Sequence, residues 1–244
     1  MSEDEAAVAE GPLPPPGMEV IRQRSGEKTA QYIRRLIFDG RLRQGDRVPQ
    51  DDIARALGVS RLPVREALLS LEQDGWVTIR PHRGAFIAPL DATVVADHYA
   101  LYGLMHGFAA RRAAARISTE SLARLRELSG LLAAENDPEA FARLSLEFDR
   151  LVRGTASSAR LRSLLRAMVG LIPGNFFALV SGAIEVERAG SAAIVEALSR
   201  RDGETASEAY AGMLRRQGEL VVRLFTERGL FAPEYPDAHT EAAS

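Results

Sequence analysis

The amino-acid sequence predicts a mainly α-helical protein in two parts, a small N-terminal unit of three helices and a β-hairpin, followed by an all-α bundle. Three observations support this prediction. Apolar residues recur at helical spacing through most of the 244 residues. Only residues 76–88 contain the short β-prone runs of a hairpin. Finally, residues 18–90 carry 13 bases and 9 acids, whereas residues 91–244 carry 18 bases and 20 acids, so the N-terminal part alone is basic.

Composition excludes several classes of function. The chain has no cysteine, which excludes disulfide frameworks, thiolate zinc sites and cysteine nucleophiles. Residues 1–17 are acidic and rich in proline, unlike a signal peptide, and no apolar run is long enough to span a bilayer. We therefore expect a cytoplasmic protein without a membrane partner, with disordered tails at residues 1–17 and 232–244.

The first two helices are predicted from an apolar stripe and from glycine stops. One helix begins near Ser25 and ends at Gly40, and its stripe consists of Ala30, Ile33, Leu36 and Ile37. A shorter helix covers residues 51–57 and ends at Gly58.

The third helix begins after Ser60 and ends at the Asp74-Gly75 turn. Ser60 suits an N-cap, where its hydroxyl would accept the Leu62 N–H, because Pro63 has no N–H to offer. Val64, Leu68 and Leu71 then share one face that packs on the preceding helices.

Arg61 and Arg65 lie four residues apart near the start of the third helix, on another face. Cations there oppose the helix macrodipole but are well placed to meet a polyanion. The first residues of a recognition helix reach bases and phosphates in a major groove, and arginine can grip guanine through two hydrogen bonds. For the pair alone, two solvated arginines are the commoner explanation.

The order of elements favours DNA binding over solvated arginines. The third helix is followed by β-prone runs around the turn formed by His82, Arg83 and Gly84. Three helices and a hairpin with a basic tip describe a winged helix-turn-helix. We expect His82 and Arg83 to reach a minor groove or a phosphate, with Gly84 allowing the backbone to turn and approach closely.

Beyond residue 91 the pattern is helical throughout. Six amphipathic segments, separated by Ser, Gly, Pro or Asp, predict a bundle of six or seven helices: residues 97–117, 119–135, 138–155, 159–172, 191–202 and 204–228. We therefore place a DNA-binding domain at residues 18–90 and an all-α domain at residues 91–231.

The stretch "RVPQDDIARALGVSRLPVREALLSLEQDGWVTIRPHRGAFIAPLD" resembles the DNA-binding domain of GntR-type bacterial transcription regulators. The resemblance implies a homodimer on a short inverted repeat of double-stranded DNA. It implies that Arg61 and Arg65 contact bases and phosphates, that Ser60 and Pro63 lie along the DNA backbone, and that residues 82–84 form the wing tip.

One residue departs from that family's pattern. Asp51 occupies a position where some relatives have an arginine that contacts phosphate. Arg55, one turn further along the same helix, is the candidate to make that contact instead.

The bundle resembles the effector domain of the FadR branch, known as the FCD domain. Two stretches carry this resemblance, "FDRLVRGTASSARLRSLL" and "SAAIVEALSRRDGETASEAYAGM". Many such domains hold a divalent metal through one aspartate and three histidines. This chain has Ser145, Asp149, Ser191 and Met213 at those four positions. One carboxylate does not make a metal site, so we predict no metal and no other cofactor.

The first helix of the bundle carries other polar residues that bear on a binding site. Tyr102 stands where the family usually has an arginine. His98 and His106 flank it at steps of four and roughly share a side of the helix. A metal site rescued by these two histidines is much less favoured than two surface or core-edge histidines.

The pocket of the bundle is predicted to be mostly apolar and so to favour a hydrophobic or aromatic effector over a small acid. The alternative is that its apolar side chains simply fill a core. The candidate lining residues are Tyr102, Met105, Phe108, Phe148, Asp149, Leu171, Phe176, Phe177 and Met213. The irregular stretch "GLIPGNFFALVSGA", broken at Pro173 and Gly174, is a candidate entrance.

These features predict a homodimeric, ligand-responsive transcriptional repressor. The alternative is a constitutive DNA-binding regulator whose helical domain only dimerises. An enzyme is poorly supported, because the chain has no P-loop, HExxH motif or glycine-rich dinucleotide turn. The nearest pair of carboxylates, Glu147 and Asp149, is two apart on a helix and points in different directions.

Overall fold

A computed structural model of the chain describes residues 18–156, 158–168, 171–172 and 174–231. The tails predicted at residues 1–17 and 232–244, and the break predicted at Pro173, lie outside these residues. Within the described part, three helices and a hairpin precede a helical bundle, which confirms the predicted fold class. No helix there is both long and apolar enough to cross a bilayer.

The N-terminal unit, called the head below, runs from α1 to β2. It comprises α1 Met18–Phe38, α2 Gln50–Leu57, α3 Arg61–Gln73, β1 Val77–Arg80 and β2 Gly84–Ile87. The two strands are antiparallel, with Val77 opposite Ile87 and Arg80 opposite Gly84. Helix α1 begins at Met18, earlier than the apolar stripe indicates.

Short polar and glycine signals set the boundaries of α2 and α3. Gly58 ends α2 in the left-handed conformation with φ 63°, which glycine adopts without a Cβ clash. Ser60 has extended backbone angles at the N-cap of α3. Val64, Leu68 and Leu71 are buried in the head core, as the spacing along α3 predicts.

The bundle contains seven helices in the described residues: α4 Ala92–Arg116, α5 Thr119–Ala134, α6 Pro138–Ala156, α7 Ala159–Ala167, α8 Phe176–Leu179, α9 Ala183–Ser199 and α10 Gly203–Glu227. Side-chain caps start several of them; the Asp91 carboxylate, for example, accepts the Val94 N–H at 2.8 Å. Helix α8 and the first two turns of α9 were not predicted, because neither has an apolar repeat long enough to mark a helix.

Helices α4 and α10 form the most extensive contact of the bundle. A Cβ on Gly107 would lie 2.7 Å from Ser207 Oγ, and one on Gly218 would lie 2.7 Å from Tyr99 Cβ. Glycine at these two points therefore lets the helix backbones approach more closely than any side chain would allow.

The head and the bundle share one apolar core. Ile33, Leu71 and Trp76 of the head belong to the same buried cluster as Val221 and Phe225 of α10. The Phe38 ring meets the Phe225 ring edge-on at 5.9 Å, and the Arg228 guanidinium lies 4.1 Å from the centre of the Phe38 ring. This contact fixes the head directly against the C-terminal helix.

Candidate nucleic-acid interface and ligand cavity

The N-terminal end of α3 presents its two arginines to solvent. The side chain of Arg61 is 76% exposed, and Arg65 is also exposed. The opposite face of α3 is buried in the head. Both guanidinium groups are therefore available to a partner outside the chain.

Arg61 and Arg55 each pair with an acid on α2. Arg61 Nε lies 2.7 Å from Asp51 Oδ1, and Arg55 Nη1 lies 3.0 Å from Asp52 Oδ1. All four side chains are mostly exposed, so the two pairs add little to stability. Sequence spacing gave no sign of the Arg61–Asp51 pair, because it joins two helices.

The local prediction for Ser60 and Pro63 needs two corrections. Ser60 lies at the N-cap and is exposed, but its hydroxyl makes no capping hydrogen bond. Pro63 is buried, because its position one turn before Ala67 turns it towards the head core. The expectation that the Pro63 side chain lies along the DNA backbone is therefore wrong.

The hairpin tip has an unusual backbone and a basic surface. His82 has φ 59° and Gly84 has φ 99°, and both His82 and Arg83 are exposed. A Cβ on Gly84 would lie 3.0 Å from Nε of Arg47, which is also exposed. Arg47 joins the wing through a bridge to Phe86, so sequence reasoning missed this additional base.

A cavity of about 740 Å³ lies where the head meets the bundle. Helix α1 contributes Lys28, Gln31, Tyr32, Arg34 and Arg35 to its wall. The remaining walls come mainly from α4, α6, α9, α10 and the segment around α8. The cavity is thus an interdomain site and is not confined to the bundle.

One polar cluster at the bundle end of the cavity centres on Asp149. The Tyr210 hydroxyl donates to its Oδ1 at 3.0 Å, and the Arg153 guanidinium forms an ion pair with the same carboxylate. His106 Nδ1 lies 3.2 Å from Oδ1 but without hydrogen-bond geometry. Burial of His106 lowers its pKa to about 4, so its imidazole is neutral near pH 7.

A second buried carboxylate lines the same end. Glu187 accepts the Ser145 hydroxyl at 2.8 Å and the Gln217 side-chain N–H at 2.6 Å. Burial raises the pKa of Glu187 to about 7, although both hydrogen bonds oppose that rise. The inner wall of the cavity is therefore rich in hydrogen-bonding groups.

Comparison with known proteins identifies both parts of the chain. Residues 25–87 match the bacterial regulatory proteins of the gntR family, and residues 97–216 match the FCD domain. An uncharacterised HTH-type transcriptional regulator of Mycobacterium tuberculosis is 35% identical over 216 residues, which cover 85% of this chain and 86% of the relative. The chain belongs to the GntR family.

Other GntR relatives agree with this assignment. A probable D-xylose utilization operon repressor of Paenarthrobacter nicotinovorans is 30% identical and covers 78% of this chain and 85% of its own. The crystal structure of a GntR member from Pseudomonas syringae is 25% identical, with a TM-score of 0.52 over 89% of this chain and 90% of its own. The protein is thus a transcriptional regulator with a GntR DNA-binding domain and an FCD effector-binding domain, and not an enzyme.

The cavity of this GntR protein contains part of the predicted pocket set. Its lining includes Tyr102, Asp149, Leu171, Phe176, Phe177 and Met213. Met105, Phe108 and Phe148 were also expected there, but none of the three lines the cavity that the structure describes. Phe148 is fully buried in the bundle core, whereas Phe108 is half exposed beneath the Arg112 guanidinium and Met105 is half-buried.

The expectation of a mostly apolar pocket did not include the polar residues at the bundle end. His106, Arg153, Glu187, Tyr210 and Gln217 all line it beside Asp149. Polar residues on α4 and α10, among them His106 and Tyr210, were the available signal, whereas Glu187 lies in the first two turns of α9, which were not predicted.

The residues at the four ligand positions of the FCD domain do not fit a divalent metal. The hydroxyls of Ser145 and Ser191 donate to protein acceptors, and Met213 packs against the α9 backbone. The one carboxylate, Asp149, is already paired with Arg153. Nowhere among the described residues do three or more His, Asp or Glu converge as a metal site would require.

Proposed function

We propose that this GntR regulator is a repressor that binds a short inverted repeat as a homodimer and responds to a small molecule held in the interdomain cavity. Residues 18–90 form the DNA-binding domain in this proposal, and residues 91–231 form the effector and dimerisation domain. A protein that acts on the bacterial chromosome belongs in the cytoplasm.

The DNA-binding role rests on one observation above all. The first turns of α3 place Arg61 and Arg65 in solvent, and the exposed wing tip adds His82 and Arg83. The first turns of a recognition helix enter the major groove in this architecture. We assign Arg61 and Arg65 to base and phosphate contacts, Ser60 and Arg55 to the flanking phosphates, and residues 82–84 to the wing contact.

The dimer proposal rests on an apolar stripe along α4. Val94, Leu101, Leu104 and Phe108 are 41%, 56%, 65% and 48% exposed, and they follow one another at steps of seven, three and four. That spacing is typical of a helix that packs against a second helix. A two-fold pair of α4 helices would bury the stripe and give the two heads the symmetry of an inverted repeat.

The ligand response rests on the cavity itself. A ligand can change DNA binding only if it prefers one placement of the heads over another. Because α1 of the head forms one wall, a bound molecule contacts both domains at once. An aromatic or otherwise apolar body suits the walls formed by Tyr102, Phe176 and Phe177.

The test is operator binding by fluorescence anisotropy, using DNA from upstream of the protein's own gene and a scrambled duplex. The intact chain should prefer its operator, and Arg65→Ala should weaken that binding by about 1–3 kcal/mol, the value of one good base contact. Arg200→Ala removes an exposed arginine at the C-cap of α9 and should leave binding unchanged. Equal affinity for both duplexes, or equal losses in both variants, would reject the proposal.

A further inference from the structure

We propose that the head supplies a cationic subsite to the effector cavity, so that the effector is an amphipathic monoanion that bridges the two domains. Its acid group lies at Arg34, Lys28 and Arg35 of α1. Its uncharged hydrogen-bonding end lies at His106 and Arg153 in the bundle. This inference rests on the proposed ligand response and adds the class of ligand and the contact through which it acts.

Several residues that line the cavity carry buried polar atoms without a hydrogen-bond partner. Among the described residues, such side-chain atoms occur on Arg34, His106, Arg112 and Arg153, and all are nitrogens. Three of these four residues line the cavity. Arginine Nε is always a donor, and neutral histidine offers one donor. Buried donors are normally satisfied, so the chain leaves donors beside this cavity without an oxygen acceptor of its own.

The head end and the bundle end of the cavity differ in charge. The charged residues that α1 contributes to the wall, Lys28, Arg34 and Arg35, are all cations, and Asp74 offsets the charge of Arg34 alone. At the bundle end, Asp149 cancels Arg153, and Glu187 adds a second carboxyl. An anionic group is therefore favoured at the head end, whereas a hydroxyl or carbonyl suits the bundle end.

The other walls of the cavity are largely aromatic and aliphatic. They include Tyr99, Tyr102, Ile172, Phe176 and Leu214. A ligand with polar groups at both ends thus needs an apolar or aromatic body between them. Phenols that carry an alkanoic acid chain have this order of groups.

Arg34 also connects the cavity to the recognition helix. It is 9% exposed, and its Nη2 donates to the Asp74 carboxylate at 2.5 Å. Asp74 is the C-cap residue of α3, the proposed recognition helix. The acid group of the ligand and the Asp74 carboxylate would therefore both bind the Arg34 guanidinium. Arg34 and Asp74 both belong to the head, so the ligand contacts both domains only in head placements that hold Arg34 close to the bundle, and this is the differential affinity that a response requires.

The experiment is isothermal titration calorimetry on the intact chain with 4-hydroxyphenyl-alkanoates of increasing chain length and with their methyl esters. At least one acid should bind, and its ester about tenfold or more weakly, because the ester removes the charge that the head recognises. Binding should also weaken with salt. No binding by any acid of the series, or equal binding of acid and ester, overturns the proposal.

Variants then locate the subsite. Arg34→Gln breaks an ion pair of the head and risks its folding, so the exposed residues carry the test. Lys28→Gln and Arg35→Gln should each weaken binding of the acid about threefold to tenfold and leave the affinity for the ester unchanged. Arg41→Gln, an exposed head cation outside the cavity, is the matched control. Equal effects of all three substitutions would overturn the head subsite.

The single tryptophan gives an independent readout. Trp76 lines a neighbouring cavity of about 370 Å³ together with Arg34 and Asp74. Its emission should therefore change when the acid binds and stay constant with the ester. Operator binding of the ligand-free protein is measured separately, so a failed ligand proposal is distinguished from a failed DNA-binding proposal.

Discussion

Arg61 of the recognition helix and Asp51 of α2 form a two-point ion pair, with Nε 2.7 Å from Oδ1 and Nη2 2.9 Å from Oδ2. Both side chains are exposed, so the pair contributes at most about 1 kcal/mol to stability. It fixes the direction of the guanidinium and places a negative charge on the surface that we propose to face DNA. An acid at this position thus acts on DNA binding more than on folding.

Asp51→Asn should raise the affinity for scrambled DNA and so reduce the ratio of operator affinity to scrambled-DNA affinity. Removal of the acid frees Arg61 for any phosphate and lowers repulsion from the duplex. Fluorescence anisotropy at several salt concentrations measures both affinities. Glu196→Gln removes an exposed, paired acid on α9 and serves as the control. Tighter binding to the operator alone would contradict this prediction.

Arg83→Ala should weaken binding to the operator and binding to scrambled DNA by similar factors. An exposed arginine at the wing tip is expected to meet phosphate, which carries no sequence information. The slope of log affinity against log salt should fall in magnitude by about 1, as expected for one lost phosphate contact. Arg41→Ala should retain the original slope. A loss confined to the operator would instead assign Arg83 to base recognition.

Leu104→Glu should convert the dimer to a monomer and abolish tight operator binding. A charge in the centre of the α4 stripe cannot be buried against a second copy without a large desolvation cost. Sedimentation velocity measures the mass, and circular dichroism verifies that the helices remain. Leu131→Glu, at a similarly exposed leucine on α5, should stay dimeric. If Leu104→Glu also remained dimeric, α4 would not be the interface.

Glu187→Gln should stabilise the protein at pH 8 and have little effect at pH 5. Burial raises the Glu187 pKa from 4.5 to about 7, so between these values the folded state keeps a proton that the unfolded state has lost. Wild-type stability therefore falls as pH rises through this window, by about 3 kcal/mol in total, and glutamine removes that loss.

Urea unfolding of both proteins at the two pH values measures this difference. The pKa of His106 is lowered, so its own contribution falls as pH drops below 6.5, but it is common to both proteins and cancels. Glu185→Gln changes an exposed acid on the same helix and should alter stability by less than about 0.5 kcal/mol at either pH. A pH-independent effect of Glu187→Gln would mean that Glu187 stays ionised in the fold.

The head was predictable in most details because its signals are local. Gly58, Ser60 and the Asp74-Gly75 turn mark helix ends within a few residues, and the change from helical spacing to alternation marks the hairpin. The burial of Pro63 and the pairing of Arg61 were not predictable, because both depend on how α3 lies against its neighbours.

The cavity was only partly predictable, because its polar cluster is assembled from distant segments. Glu187 and Gln217 stand thirty residues apart on different helices, yet they share a hydrogen bond. Spacing along α9 or α10 cannot reveal that two inward polar groups satisfy one another. The wall formed by α1 was not predictable either, because the sequence does not show that a helix of the DNA-binding domain packs against the bundle.

The contact between Phe38 and Phe225 limits how freely this regulator can be rearranged by evolution or by engineering. A chimera joined between β2 and α4 would lack α10 of this chain, so Phe38 of the head would lose its contact with the Phe225 ring. A functional chimera would need to include the last turns of α10, or to replace Phe38 with a polar residue.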